Sequence, residues 1–328
     1  MTVRLDGSDP AAIERAADLL AAGELLAFPT ETVYGLGARA DDDDAVRKIF
    51  AAKGRPLDHP LIVHVADVAD AALFTAGPNA VATRLMAACW PGPLTVIVAR
   101  APGVAGAAAG GHPTIGLRCP AHPVAQALLR AARRRGVPGV AGPSANRFGR
   151  ISPTLAAHVE DEFGSTLPVL DGGACAVGIE STIVDCSRGR PVLLRPGVLT
   201  RAVVEAAAGA PLGAADADAP RAAGSLASHY APAATLRLLS GDALAAALQA
   251  PATLPARLAV YSRRLPPGLG PDVRHRRMPA QAAAAAHELF SVLRQFDADG
   301  AAFIWVEEPP AEPDWDGVRD RLQRAAAR

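Results

Sequence analysis

The sequence predicts an α/β fold, with a large mixed-sheet domain over residues 1–210, a linker over residues 211–235 and a small βαβ-type domain over residues 236–328. Three observations carry this reading. Short apolar runs of strand length alternate with helical periodicity through the first part of the chain. That alternation breaks off where Ala, Asp, Pro and Gly take over, the composition of a connecting segment. It then resumes for about ninety residues, a normal domain size.

The first element is a helix. Asp9-Pro10 is a good cap and first-turn pair, and Ile13, Ala16, Ala17 and Leu20 follow at helical spacing until Gly23 stops the pattern. Strand-length apolar runs follow at Leu25–Phe28, Leu61–Val65, Leu94–Val98, Ile115–Leu117, Val137–Ala141, Ile183–Cys186 and Val192–Leu194. Helical patterns lie between several of them, at Ala45–Ala52, Ala80–Ala88, Val124–Arg134 and Leu155–Phe163. Some connections are too short for a crossover, so strand directions are expected to be mixed. Beyond the linker, strands are expected at Leu236–Leu239, Leu258–Tyr261 and Ala302–Val306, with helices at Ala243–Gln249, Ala280–Phe296 and Trp315–Ala327.

Composition narrows the class. Half the residues are apolar, yet no run approaches the roughly 20 uncharged residues that cross a bilayer. Residues 1–9 lack a basic segment followed by an apolar core, so no export signal is expected and the expected location is cytoplasmic. Lys plus Arg, 33, equals Asp plus Glu, 33, which argues against a global positive field and tight direct nucleic-acid binding. Cys89, Cys119, Cys175 and Cys186 form no C-x-x-C pair and have no His at zinc spacing, so no protein-bound metal is expected.

Several segments carry chemistry. Phe28-Pro29-Thr30-Glu31-Thr32-Val33-Tyr34-Gly35-Leu36-Gly37 leaves a strand and turns through hydroxyls, a carboxylate and glycines, which reads as a pocket wall. Lys53-Gly54-Arg55-Pro56 puts two cations at a helix end, suited to phosphate or carboxylate. His59-Pro60-Leu61-Ile62-Val63-His64 runs into the next strand, and Trp90-Pro91-Gly92-Pro93-Leu94-Thr95 reads as a rigid turn into another. Along Thr114-Ile115-Gly116-Leu117-Arg118, alternation puts Thr114, Gly116 and Arg118 on one face, and an Arg among apolar strand residues requires a partner. Gly142-Pro143-Ser144-Ala145-Asn146 is no hydrolase elbow, because Asn146 stands where the second glycine belongs. It reads as a ligand-binding loop, with Ser152-Pro153-Thr154 next. Ser181-Thr182 begins a strand, Arg195 ends the following one, and Ser228-His229-Tyr230-Ala231-Pro232 is a polar-aromatic cluster suited to a lid.

Together PTETVYGLG, KGRP, HPLIVH, WPGPLT, the SAN segment, GIESTIVD, LRPG and HYAP stand in an order and spacing that resembles the threonylcarbamoyl-AMP synthase family, YrdC type, in its longer two-domain form. The resemblance is dense over Gly23–Gly197 and looser at the C-terminal end; His59 stands where the family pattern carries Asn before Pro-Leu. It implies a twisted mixed-sheet YrdC-like domain and a small Rossmann-like one. It further implies an enzyme, a nucleotidyltransferase, that joins L-threonine, bicarbonate or CO2 and ATP into threonylcarbamoyl-AMP and pyrophosphate. The product would pass to a transferase machinery that modifies tRNA to N6-threonylcarbamoyladenosine. The implied ATP side is Lys53, Arg55, His59, Thr114, Ser144, Asn146, Ser152, Arg195 and Tyr230, with Lys53 and Arg55 as the catalytic cations. The implied threonine side is Thr32, His64, Arg118 and Ser181, with Arg118 on the carboxylate, while Thr30 fits either side. Mg²⁺ would accompany the phosphates, held mainly by ATP and water.

Two other readings are open to test. Gly35-Leu36-Gly37-Ala38-Arg39-Ala40 matches the dinucleotide fingerprint, with Asp58 at a tolerable distance, which would make the chain an oxidoreductase. Arg133-Arg134-Arg135 with the Lys53/Arg55 loop would instead make a non-catalytic RNA-binding module.

Overall fold

The computed structural model describes residues 4–224, 226–249, 254–264, 270 and 273–327. Residues 1–3, part of the segment read for an export signal, lie outside them. The first unit runs β1 (Arg4–Asp6), α1 (Pro10–Ala21), β2 (Leu26–Phe28), β3 (Gly35–Arg39), α2 (Asp43–Lys53), β4 (Ile62–His64), α3 (Val68–Ala71), α4 (Ala80–Cys89), β5 (Leu94–Ala99) and β6 (Thr114–Arg118). It continues with α5 (Pro123–Arg134), β7 (Val140–Ala141), α6 (Ala156–Phe163), β8 (Val169–Asp171), β9 (Thr182–Asp185), β10 (Val192–Arg195), α7 (Arg201–Ala208) and β11 (Gly213–Ala214). The second unit is β12 (Thr235–Leu239), α8 (Gly241–Leu248), β13 (Leu258–Ser262), β14 (Arg274–Arg277), α9 (Ala282–Ala298), β15 (Phe303–Glu307) and α10 (Asp316–Ala326).

Among the described residues, the first unit's strands form one eleven-stranded sheet in the order β1-β8-β2-β3-β7-β4-β6-β5-β9-β10-β11. Its directions are mixed, as expected: β4 runs parallel to β6, β5 antiparallel to β6 and parallel to β9, and β10 antiparallel to β9. One face is covered by α2 and α4 through Ile49, Phe50, Leu85 and Met86, the other by α1 and α5 through Leu20, Leu128 and Leu129. Caps set these helices as their sequences demand. The Asp9 carboxylate accepts the Ala11 N–H at 2.9 Å, and the Asp42 carboxylate accepts those of Asp44 and Ala45 at 2.9 and 3.1 Å.

The second unit is a parallel four-stranded sheet, β12-β15-β13-β14. Its core is not self-contained. Val33, Ile151, Ile179 and Tyr230, from the first unit and the linker, pack in the same cluster as Leu289, Phe290 and Leu322.

Some elements differ from expectation. Gly35–Arg39 is a strand, so the turn after Phe28 closes at Tyr34, earlier than the glycines indicate. The glycines serve close packing: a Cβ on Gly37 would stand 2.9 Å from Val140 Cγ1 and 3.0 Å from Phe28. β1 and β8 are three residues each, too short to show a period. β14 reads Arg-His-Arg-Arg and is extended because it pairs with β13 at a sheet edge, not because of its composition. α7 carries a legible signal, with Thr200 accepting the Val203 N–H and Gly209 left-handed at its end, and sequence reading passed over it.

Candidate active site

Strand order brings distant motifs to one edge of the large sheet. His64 and Arg118 are register partners at the ends of the parallel strands β4 and β6. β5 and β9 begin beside them, and β10 ends there, so Arg118 and Arg195 flank Thr95 and Ser181. Together with the loop after β2, the loop after β7 and the linker, these residues line a partly open cleft. It is lined by Thr30, Arg55, His64, Arg118, Ser144, Glu180, Ser181, Arg195, Gly224, His229 and Tyr230, among others.

Each wall has a local cause. Thr30 closes the loop after β2: its hydroxyl donates to Val33 O at 2.6 Å and accepts the N–H groups of Thr32 and Val33, both at 3.2 Å. Its oxygen also lies 2.9 Å from Thr32 Oγ1. Gly54, left-handed at φ +64°, ends α2 and turns Lys53 and Arg55 apart. Gly142 lets the backbone pass His64, whose Nδ1 would stand 3.1 Å from a Cβ there. Arg118 donates Nη1–H to Thr32 Oγ1 at 2.8 Å and Nε–H to Gly92 O at 3.3 Å. Its Nη2 forms an ion contact with Glu31 Oε1 at 2.8 Å that lacks hydrogen-bond alignment. Arg195 donates to Ser181 O at 3.0 Å, Ser181 Oγ at 3.2 Å and Ala223 O at 2.8 Å, tying the linker to the cleft. Ser181 Oγ also lies 2.7 Å from Thr95 Oγ1.

The comparisons match this arrangement. The family model described as "Telomere recombination" (Sua5_yciO_yrdC) covers residues 18–197, and "Threonylcarbamoyl-AMP synthase, C-terminal domain" covers residues 197–327. A Bacillus subtilis protein named threonylcarbamoyl-AMP synthase is 38% identical over 99% of this chain and 96% of its own length. The chain belongs to the threonylcarbamoyl-AMP synthase family. A Pyrococcus abyssi protein of that name is 40% identical over 70% of this chain and 68% of its own. The crystal structure titled as P. abyssi Sua5 complexed with L-threonine superposes with a TM-score of 0.88 at 32% identity, covering 99% of this chain and 97% of that one. The family's two-domain α/β architecture is therefore the architecture of this chain.

The expected residues of a synthase of this family fall into two groups. Arg55, His64, Arg118, Ser144, Ser181, Arg195 and Tyr230 face the cleft, as does Thr30. The others do not line it. Lys53 lies behind the loop after β7, only 3% exposed, donating Nζ–H to Ser144 O at 2.6 Å and to Asn146 O. Asn146 donates Nδ2–H to Arg147 O and Arg150 O, and Ser152 donates to Glu180 Oε1. Thr32 is sequestered by Arg118. Thr114 lines a second hollow along β6 with Gly116, Arg221 and Ala222, while His59 stands in an outer groove against Phe148, with ring centroids 5.5 Å apart.

Sequence reading did not assign site roles to Glu31, Glu180, His229 or Arg321. Glu31 stands between the hydroxyls of Thr30 and Thr32, and Glu180 directly before Ser181-Thr182; a carboxylate beside hydroxyls in an apolar neighbourhood is a usable signal. Arg321 sends none, because its neighbours in sequence read as an ordinary charged helix.

Burial sets the charges. It pushes His64 down to about 3, helped by the nearby Arg118 charge, and His229 also to about 3, so both imidazoles are neutral at pH 7. Burial raises Tyr230 to about 12 and lowers Arg55 to about 10, leaving a neutral phenol and a charged guanidinium. Burial alone would raise Glu180, but the Arg321 and Arg195 charges and the Ser152 bond hold it below the ordinary carboxylate range. Burial also drives Lys53 well down, with Arg55 adding to the effect. His64 Nδ1, His229 Nδ1 and the Tyr230 hydroxyl are buried and make no hydrogen bond among the described residues. Unpaired buried polar atoms at a cleft are groups that a polar ligand can satisfy.

The rival readings fare poorly. The G-x-G-x-x-A glycines sit on β3 itself, with Gly35 bridged to Ser144, so they make no strand-to-helix phosphate loop; Asp58 pairs with Arg221. Arg133 pairs with Asp67 and Asp70, Arg134 with Glu14, and Arg135 with Glu14 and Asp18, so the triplet is already neutralised. Among the described residues, no helix is long and apolar enough to cross a membrane.

Proposed function

We propose that this chain is a nucleotidyltransferase that condenses L-threonine, bicarbonate or CO2 and ATP into threonylcarbamoyl-AMP and pyrophosphate, for the N6-threonylcarbamoyladenosine modification of tRNA. The observation that carries the reading is the pair of buried guanidiniums, Arg118 and Arg195, flanking Thr95 and Ser181 in a cleft roofed by the linker, in a chain that superposes end to end on an L-threonine complex.

The chemistry asks for three things that such a cleft supplies. The threonine amine bonds to the carbon of CO2 and loses a proton, giving a carbamate. A carbamate oxygen then bonds to the α-phosphorus of ATP, and the bond to pyrophosphate breaks. We assign Arg118 to the threonine carboxylate, with Thr32 and Glu31 fixing its guanidinium, and His64 and Ser181 to orienting the amino acid as neutral groups. Arg55 and Arg195 are assigned to phosphate charge, in a desolvated site where it is stabilised most strongly. Ser144 and Tyr230 complete the nucleotide side. Lys53, Asn146 and Ser152 serve it by shaping the loops, while Thr114 and His59 are assigned to the two ends of the nucleotide path. Gly224 and Tyr230 exclude water that would hydrolyse the mixed anhydride.

Among the described residues no three His, Cys, Asp or Glu side chains gather at one point. The cleft carboxylate of Glu180 is engaged by Arg321 and Ser152. We assign Mg²⁺ to the triphosphate and its water. Residues 1–210 are assigned as the catalytic unit, 211–235 as its lid and 236–328 as the C-terminal unit. The location is assigned as the cytoplasm, where ATP and tRNA are available. The test is pyrophosphate release by purified protein with ATP and Mg²⁺, omitting threonine or bicarbonate in turn. Release that needs both is expected; release indifferent to threonine overturns the reading.

A further inference from the structure

The C-terminal unit packs against residues that line the cleft, and one of its side chains, Arg321, binds several of them at once. Arg321, on α10, is 0% exposed although it belongs to the charged helix of the small domain. Its Nε–H donates to Glu180 Oε2 at 2.8 Å, its Nη2–H to Glu180 O at 3.0 Å and its Nη1–H to Pro196 O at 2.8 Å, while Asp320 balances the charge at 2.7 Å. Its guanidinium carbon lies 5.3 Å from the centre of the Tyr230 ring. One guanidinium thus touches the residue before Ser181, the residue after Arg195 and the lid aromatic.

The surroundings are built for that approach. A Cβ on Gly317, one turn earlier on α10, would stand 2.6 Å from Gly197 O and 2.8 Å from Ile179, so the helix start lies directly on the two cleft loops. A Cβ on Gly178 would overlap the backbone of Ala286 and His287 on α9. Arg324 donates to Leu226 O and its carbonyl accepts the His229 N–H at 3.2 Å, fixing the linker to the same helix. Tyr230 itself has φ +61°, a left-handed conformation that a non-glycine residue keeps only where its surroundings over-determine it. Arg321 below the ring and Phe290 stacked at 5.5 Å supply that constraint.

We propose that Arg321 is a positioning residue for the nucleotide side of the cleft: from the C-terminal domain it holds Glu180, the Arg195–Pro196 strand end and the lid residue Tyr230 in one arrangement. The proposal rests on the functional reading above. Charge balance alone is not its role, because three of its contacts are to backbone carbonyls and an aromatic face that a point charge cannot serve together.

The test uses the full chain with Arg321→Met and Arg321→Lys. ATP and threonine are varied separately in the pyrophosphate assay, and binding of α,β-methylene-ATP is measured by calorimetry. Arg321→Met is expected to raise the KM for ATP and the Kd of the analogue at least about tenfold, with the threonine KM within about threefold. Arg321→Lys, which keeps the buried charge opposite Glu180, is expected to recover thermal stability but not nucleotide affinity. A variant with lower kcat but unchanged ATP KM and analogue Kd would reduce Arg321 to a structural role, and recovery of ATP affinity in Arg321→Lys would reduce it to charge balance. If Arg321→Met does not fold, the lysine variant alone decides. Wild-type protein lacking threonine-dependent release would remove the functional reading, and the analogue Kd series would still decide the role of Arg321.

Discussion

Arg118 offers the sharpest separation between holding the fold and holding substrate. The side chain is 4% exposed and its ionic partner Glu31 8%. Arg118→Met leaves the Glu31 carboxylate buried without a countercharge, a loss of about 3–5 kcal/mol. At about 2–4 °C per kcal/mol for a large domain, the melting temperature should fall by about 6–20 °C. The second variant, Arg118→Met with Glu31→Gln, removes both charges and should recover most of that stability. The threonine requirement should not recover, because the guanidinium assigned to its carboxylate is gone; losing a buried charge pair there costs about 2–5 kcal/mol, a rise in threonine KM of at least about thirtyfold. The ATP KM should stay within about threefold in the double variant. Differential scanning fluorimetry and the pyrophosphate assay, with each substrate varied in turn, read both effects. Restoration of the threonine KM in the double variant, or an equal rise in both KM values, would refute the assignment and leave Arg118 as the countercharge of Glu31.

Gly224→Ala places a Cβ over the Tyr230 hydroxyl and 2.8 Å from Arg195 Nη1, at φ +72°; kcat/KM for ATP should fall at least about tenfold while the melting temperature moves by less than about 3 °C, since the lid yields locally. Stability should decline on acidification from pH 6.5. Unfolded His64 and His229 take up protons near their ordinary value, whereas the folded imidazoles resist down to about 3, so each removes about 2 kcal/mol by pH 5. Thermal melts across that range should show the slope, and His64→Gln should remove at most about a third of it, because burial also holds His158 down, to about 4. Lys53→Met should lower the melting temperature and raise the ATP KM together, because its ammonium clamps Ser144 O and Asn146 O; a melting temperature equal to wild type would instead make it a direct ligand contact.

Much of this was legible in one dimension because local rules apply where the chain is regular. Short apolar runs of strand length located β2, β4, β5, β6, β9 and β10, and Asp9-Pro10 and Val124–Arg134 announced helices through a cap and through period. The loops that carry Thr30, Arg55, Ser144, Ser181 and Arg195 stood out as polar groups and glycines at strand ends, and these residues do meet in one cleft. By contrast, β1, β8 and β14 are extended only because a neighbouring strand supplies their hydrogen bonds. No period in their own residues encodes that.

The sequence by itself determined the α/β class, the mixed directions of the large sheet and the family, because each rests on local pattern or on motifs in order. Tertiary structure alone decided which polar residues face the cleft and which stand behind it. Lys53 and Arg55 are two residues apart, yet the left-handed Gly54 sends one ammonium into backbone carbonyls and the other side chain to the cleft wall. Arg321 lies 141 positions from Glu180, and only the docking of α10 on the loops at Glu180 and Pro196 makes them partners. Direction and long-range contact come from packing, which a list of residues in chain order does not contain.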